Sequence, residues 1–183
     1  MKVYFDTGIF IDYLSRRGHV GSYLRSSEQR GRSVEQLASD AEDCFRKAYL
    51  QHTSITSSIT LYEVENALYL ALNREESGIS DRQRFLITPA RAVTIQVLTV
   101  VEFFSIDVIP LTKAIFERVV TQLELQKQGI KAGDALHVAT ALFINADLIV
   151  AADRDILKLD QVFHNSQGFP IRCVDSDLGK ELL

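Results

Sequence analysis

Two aspartates stand where apolar strands run out: Asp6 follows Val3-Tyr4-Phe5, and Asp153 follows Leu148-Ile149-Val150-Ala151-Ala152. A third acid, Asp134, opens the helical stretch that begins at Lys131, and Glu63 lies in a helical run near Thr60. Carboxylates that share a pocket suit hard divalent cations, which take oxygen ligands, and they repel one another when no ion is present. Each acid also has an ordinary structural use. Asp6, Asp134 and Asp153 are placed to cap helices, and Thr60 and Glu63 have capping-box spacing. A third chemistry is open to Asp6-Thr7-Gly8, the local signature of aspartic proteases, in which two such loops share a proton. The chain carries this triplet once, and its helix-rich pattern is wrong for that all-β architecture.

The elements that must position these acids follow from periodicity. Lys2 to Thr7 reads as a buried strand, and Ile9 to Leu14 as the start of a helix. Val34, Leu37, Ala38, Ala41, Phe45, Ala48 and Tyr49 recur at helical spacing behind Ser33, a ready cap. Thr53 to Ser58 is β-branched, after which Leu61, Val64, Leu68 and Leu72 keep the helical period. Ser77-Gly78 ends that helix and Ser80-Asp81 can begin another. Thr88-Pro89 reads as a cap and first position for a helix from Ala90 to about Phe104, with strand as the alternative. Ile106 to Leu111 reads as a strand, Thr112 caps a helix along Ile115, Val119 and Leu123, and Gly129 stops it. After the Asp134 helix come a strand into Asp153, a last strand from Phe169 to Val174, and a short polar tail. Strands separated by helices predict an α/β domain with a mainly parallel sheet, whose ligands gather at the carboxyl ends of the strands. Asp6 and Asp153 both fall there.

The ordered blocks Asp6-Thr7, Ser57-Ser58-Ile59-Thr60-Leu61-Tyr62-Glu63, Gly133-Asp134-Ala135-Leu136-His137-Val138-Ala139-Thr140-Ala141 and Leu148-Ile149-Val150-Ala151-Ala152-Asp153-Arg154-Asp155 resemble the PIN-domain ribonucleases. The likeness is greatest to VapC-type toxins of toxin-antitoxin pairs and covers residues 1 to 15, 53 to 72 and 105 to 157. It implies a three-layer α/β/α fold, here a single domain over 1–183 with extra helical segments at about 16–52 and 73–104. It implies an acidic quartet of Asp6, Glu63, Asp134 and Asp153 that binds Mg2+ or Mn2+ and hydrolyses single-stranded RNA, leaving a 5′-phosphate and a 3′-hydroxyl. A cognate antitoxin and a homodimer are the partners it implies.

Within that expectation Asp6 and Asp134 are the central ligands, with Glu63 and Asp153 tuning the ion or activating water. Thr7, Asp155 and His137 are secondary candidates. Glu65 competes with Glu63, but two residues apart on a helix they point about 200° apart and cannot easily line one pocket. Asp12 reads as part of a solvated helix face or a local Arg pair. The chain departs from the family pattern at Gly8, where Asn is common, and at Ala151, where Ser or Thr is common. A non-catalytic PIN-like module that binds RNA or protein is the alternative.

Composition sets outer bounds. With 183 residues, 46% apolar and 24% charged, the chain fits one globular domain with a real core. Cys44 and Cys173 stand in no metal-ligand spacing, so free thiols and a reducing, cytoplasmic setting are expected. No apolar run reaches roughly 18 to 20 residues, and the opening residues, which pass straight into a strand pattern, are not expected to be a secretory leader. A net charge of −4 argues against nucleic-acid binding by bulk attraction. Locally, Arg16, Arg17, Arg25, Arg30 and Arg32 face only Glu28, which makes this segment either an RNA-contacting patch or a solvated surface.

Overall fold

A computed structural model describes residues 1–75 and 82–183, the side chains of 19, 20, 75, 82–87 and 89 excepted. Its sheet holds β1 (Lys2–Phe5), β2 (Thr53–Ser57), β3 (Asp107–Ile109), β4 (Leu148–Val150) and β5 (Arg172–Val174). All are parallel, in the order β3-β2-β1-β4-β5. Strand pleating turns alternate residues of β1 to opposite faces. Val3 and Phe5 enter one core and Tyr4 the other, and helices cover both faces, giving the expected three layers.

The first core lies under α1 (Thr7–Leu14), α3 (Val34–Gln51), α4 (Ile59–Glu75) and α5 (Arg82–Phe103), with α2 (Gly18–Gly21) beside α1. Phe45 of α3 is its hub, with ring centroids 4.8 Å from Phe5, 5.0 Å from Phe10, 5.5 Å from Tyr13 and 5.4 Å from Phe104. Removing such a ring costs roughly 3–5 kcal/mol, so α3 is integral to the core beneath the site. The second core lies under α7 (Leu123–Lys127), α8 (Ala132–Phe143) and α9 (Arg154–Leu157), with α6 (Lys113–Thr121) against α8. Small buried residues on α8, Ala135, Ala139 and Ala141, let it lie close to the sheet.

Ser33 caps α3 in a full capping box with Gln36. Several boundaries differ from the periodic reading. α5 begins at Arg82 and runs through Pro89 as a helix. An interior proline costs about 3 kcal/mol. Burial of Val93, Val97 and Val100, roughly 1.5 kcal/mol or more each, outweighs that. The expected stop at Ser77-Gly78 and start at Ser80-Asp81 fall outside the described residues. The helix after Thr112 breaks at Gln122 into α6 and α7, and Thr112 makes no side-chain cap bond. The polar tail folds as α10 (Ser176–Leu182), capped by Asp175 and packed on α3. There Gly179 is the residue that fits, because a Cβ would sit 3.1 Å from Val150 and 3.2 Å from Cys44. Among the described residues no helix is long and apolar enough to cross a membrane.

Candidate metal centre

The chain's connections reverse direction between β1 and β4, the sheet position at which open α/β folds build ligand sites. Asp6 leaves β1 there. Its amide donates to the Val150 carbonyl at 3.0 Å, and its Oδ2 accepts from the Gly8 amide at 3.1 Å, capping α1. Asp153 follows β4 and caps α9, accepting from the Asp155 amide at 2.7 Å. Both caps predicted from sequence therefore form, and they coexist with a shared location. Asp134 lies in the first turn of α8, whose N-cap is Lys131. The Thr60–Glu63 capping box does not form. Thr60 is inside α4 and bonds Thr56 at 2.9 Å, which leaves Glu63 free to cross to α8.

One half of the site is built around His137, which is 1% exposed. Its Nε2 lies 2.7 Å from Glu63 Oε2, 3.0 Å from Thr7 Oγ1 and 3.5 Å from Asp6 Oδ1, and its Nδ1 lies 2.7 Å from the Tyr4 hydroxyl. Thr7 also donates to Glu63 Oε2 at 2.5 Å. Burial works against a charged imidazole, but Asp6 and Glu63 outweigh it and raise the pKa of His137 above its ordinary value. Burial likewise opposes ionisation of Glu63, yet the bonds from His137 and Thr7 hold its carboxyl below the usual range. Asp6 ends above that range because its desolvation exceeds the help from His137 and the Gly8 amide.

The other half is more open. Asp134, Asp153 and Asp155 each offer a carboxylate oxygen, and these atoms lie within 4.8 Å of one another. Burial, then Asp153, then Asp6 push the Asp134 carboxyl up to about 6. Asp134 thus feels acids from both halves and joins them. Lys158 holds Asp155 at 2.7 Å and, as the largest cause, keeps its carboxyl low. A cleft of about 480 Å³ opens beside these acids, lined by Asp153, Asp155, Gln29, Arg30, Lys131 and Arg154.

The remaining candidates sort by their contacts. Glu65 turns to α5, 3.2 Å from Thr94 Oγ1 and 3.7 Å from Arg91, away from the acids. Asp12 is fully buried and not on a solvated face, and it pairs with Arg25 and Arg30 as the local-pair reading expected. The arginine segment is a salt-bridged strap. Arg30 also reaches Asp175, Arg32 joins Asp40 and Asp175, and Arg16 and Arg17 meet Glu35 and Glu42. Of the five, Arg30 is the one that also lines the cleft. Cys44 and Cys173 are free and buried, one in each core.

The two departures from the family pattern have a packing basis. A Cβ at Gly8 would lie 2.5 Å from the Ala152 Cβ, so Ala152 fills the place a larger residue would need. Ala151 is fully buried in the second core. Tyr4, Gly133, Lys131 and Arg154 were not singled out in the sequence. Tyr4 reads there as one more apolar strand residue, and only the β1–α8 packing brings its hydroxyl to His137.

The donor set fits a hard divalent ion. It is all carboxylate oxygen around Asp134, whose carboxyl is raised by burial and then by the neighbouring Asp153 and Asp6, charges that a cation would offset. Over residues 3–162 the chain matches the family model described as PIN domain. No curated protein and no solved structure matches it.

Proposed function

The chain belongs to the PIN-domain family, and from that premise, which implies nuclease-type chemistry supported by divalent metal, we propose that it is a Mg2+- or Mn2+-dependent endoribonuclease acting on single-stranded RNA. The observation that carries this reading is the convergence of acids from four elements on Asp134. Asp153 and Asp155 stand on one side, and Asp6 and Glu63 on the other.

In the proposed mechanism Asp134, Asp153 and Asp155 would hold the ion, and Asp6 and Glu63 would complete its surroundings. A divalent ion in that position supplies Lewis acidity, favouring ionisation of an attacking water and stabilising charge on the phosphodiester. The chain's own residues do the rest. Lys131 and Arg154 line the cleft beside the acids and offer positive charge to flanking phosphates, which position a strand without reading its sequence. Glu63, kept ionised by His137 and Thr7, adds a fixed negative charge beside Asp134. Water would add to phosphorus as the P–O3′ bond breaks, and the departing 3′-oxygen would take a proton from solvent, giving a 5′-phosphate and a 3′-hydroxyl.

We assign the physiological role to the toxin of a toxin-antitoxin pair, with a small antitoxin as partner and a homodimer as the working form. Phe116 and Val120, one turn apart on α6, are exposed and apolar, as is Leu123 at the start of α7, and such residues suit a protein contact. The test is incubation of a mixed RNA pool with wild type and Asp134→Asn, each with Mn2+ or with EDTA. Cleavage by wild type in Mn2+ alone, with 5′-phosphate ends, is expected. Wild type that neither binds Mn2+ by calorimetry nor cuts any RNA would leave the fold as a binding module. Growth arrest on induction, relieved by Asp134→Asn, reads the toxin role; harmless induction of active protein refutes it.

A further inference from the structure

Both donors to Glu63 fall on the same oxygen. Thr7 Oγ1 is 2.5 Å and His137 Nε2 is 2.7 Å from Oε2. The other oxygen, Oε1, lies over Gly133, where a Cβ would stand 2.7 Å from it. Gly133 is the residue before Asp134 in the first turn of α8. An ionised carboxylate can only accept hydrogen bonds, so the His137 Nε2 facing Glu63 carries a hydrogen. In the neutral ring Nδ1 is then the acceptor, and the Tyr4 hydroxyl, 2.7 Å away, donates to it. Tyr4 is fully buried, and its ring meets the imidazole edge to face at 5.9 Å between centroids. In the charged ring, which Asp6 and Glu63 favour, Nδ1 donates to the hydroxyl instead, and in either state the Tyr4 contact fixes the imidazole while its other nitrogen holds Glu63.

Resting on the metal-nuclease reading above, we propose that Tyr4 and His137 are positioning residues that clamp Oε2 of Glu63, so that Oε1, in the space left by Gly133, is the atom Glu63 offers to an ion at Asp134. Tyr4 and His137 act through Glu63 and do not touch substrate. The absence of a side chain at position 133 serves the same end, since any Cβ there would displace Oε1 from the first turn of α8. Partners that orient a metal ligand in this way are commonly worth 10- to 100-fold in metal affinity.

The experiment is calorimetric titration of the intact chain with MnCl2, beside unfolding midpoints measured in EDTA. Tyr4→Phe keeps the ring and removes the hydroxyl. It is expected to weaken Mn2+ binding about tenfold, and His137→Leu to weaken it further. His137→Gln, which returns an N–H donor near Nε2, is expected to recover most of the loss, as a merely structural role for the ring would not. Gly133→Ala moves Glu63 Oε1 and leaves both buried rings in place, so it is expected to weaken Mn2+ binding in a chain that still folds, and it serves if the buried variants fold poorly. Wild-type affinity in both Tyr4→Phe and Gly133→Ala, in chains that remain folded, overturns the clamp and leaves the nuclease reading standing. A wild type that takes up no Mn2+ overturns both.

Discussion

Replacing Asp134 by Asn is expected to stabilise the metal-free protein while abolishing its metal-dependent activity. Burial and the neighbouring acids move this carboxyl from 3.8 to about 6, a difference near 2.2 units. At 1.36 kcal/mol per unit, ionising it in the folded state costs roughly 3 kcal/mol. The group is partly solvated, and screening halves this to about 1.5 kcal/mol. A carboxylate in the first turn of α8 also gains about 0.5 kcal/mol from the helix terminus, which Asn forgoes. The net expectation is about 1 kcal/mol in favour of the variant at pH 7.5, or roughly 2–4 °C in a domain of this size. The sign with pH follows from the raised folded pKa. The penalty is complete above about 6 and vanishes below the unfolded value of 3.8, so most of the advantage is gone by pH 4. Mn2+ inverts the order, because an ion at 100 times its Kd adds about 2.7 kcal/mol to wild type and nothing to a variant that cannot bind it. Urea unfolding followed by circular dichroism, in EDTA at pH 7.5 and pH 4 and in Mn2+ at pH 7.5, measures all three. A variant less stable than wild type in EDTA at pH 7.5, or an advantage undiminished at pH 4, would refute the repulsion argument.

Three further perturbations probe other parts of the fold. Gly8→Asn places a Cβ 2.5 Å from that of Ala152 and is expected to cost about 1–3 kcal/mol in denaturant unfolding. Adding Ala152→Gly should recover most of it, and full stability of the single variant would contradict the packing account. Asp12→Asn removes the buried carboxylate shared by Arg25 and Arg30, of which Arg30 keeps Asp175, and should cost about 1–3 kcal/mol; a loss under about 0.5 kcal/mol would mean that the strap contributes little. Arg154→Ala should raise KM for a single-stranded RNA oligonucleotide and make the salt dependence of binding shallower by about 0.7 in the log–log slope, with Mn2+ affinity unaltered. An unchanged slope would remove Arg154 from the RNA path.

The chain alone determined much of the fold. Phe10, Phe45, Val64 and Leu68 occupy faces set by helical period, the strands into Asp6 and Asp153 are apolar runs, and the Ser33 box is a local bond between near neighbours. These features are legible because period and capping depend on residues within a turn or two of each other. The expected quartet is an ordered set of acids, of which Asp6, Asp134 and Asp153 stand at element ends and Glu63 inside α4. Its internal division was not legible. Glu63 was equally suited to closing a box with Thr60, and only the docking of α4 against α8 brought His137 and Thr7 to claim its Oε2. The arginines looked like a free basic patch because their partners Asp40 and Asp175 come from α3 and the cap of α10, the latter more than 140 residues away for Arg30 and Arg32. Gly8 looked like a missing side chain until Ala152 was found in its place. Local sequence therefore determined which elements form and which residues carry charge. Tertiary packing decided which charges meet, because at distances of 3 to 4 Å the pairing energy depends on the approach of elements remote in the chain.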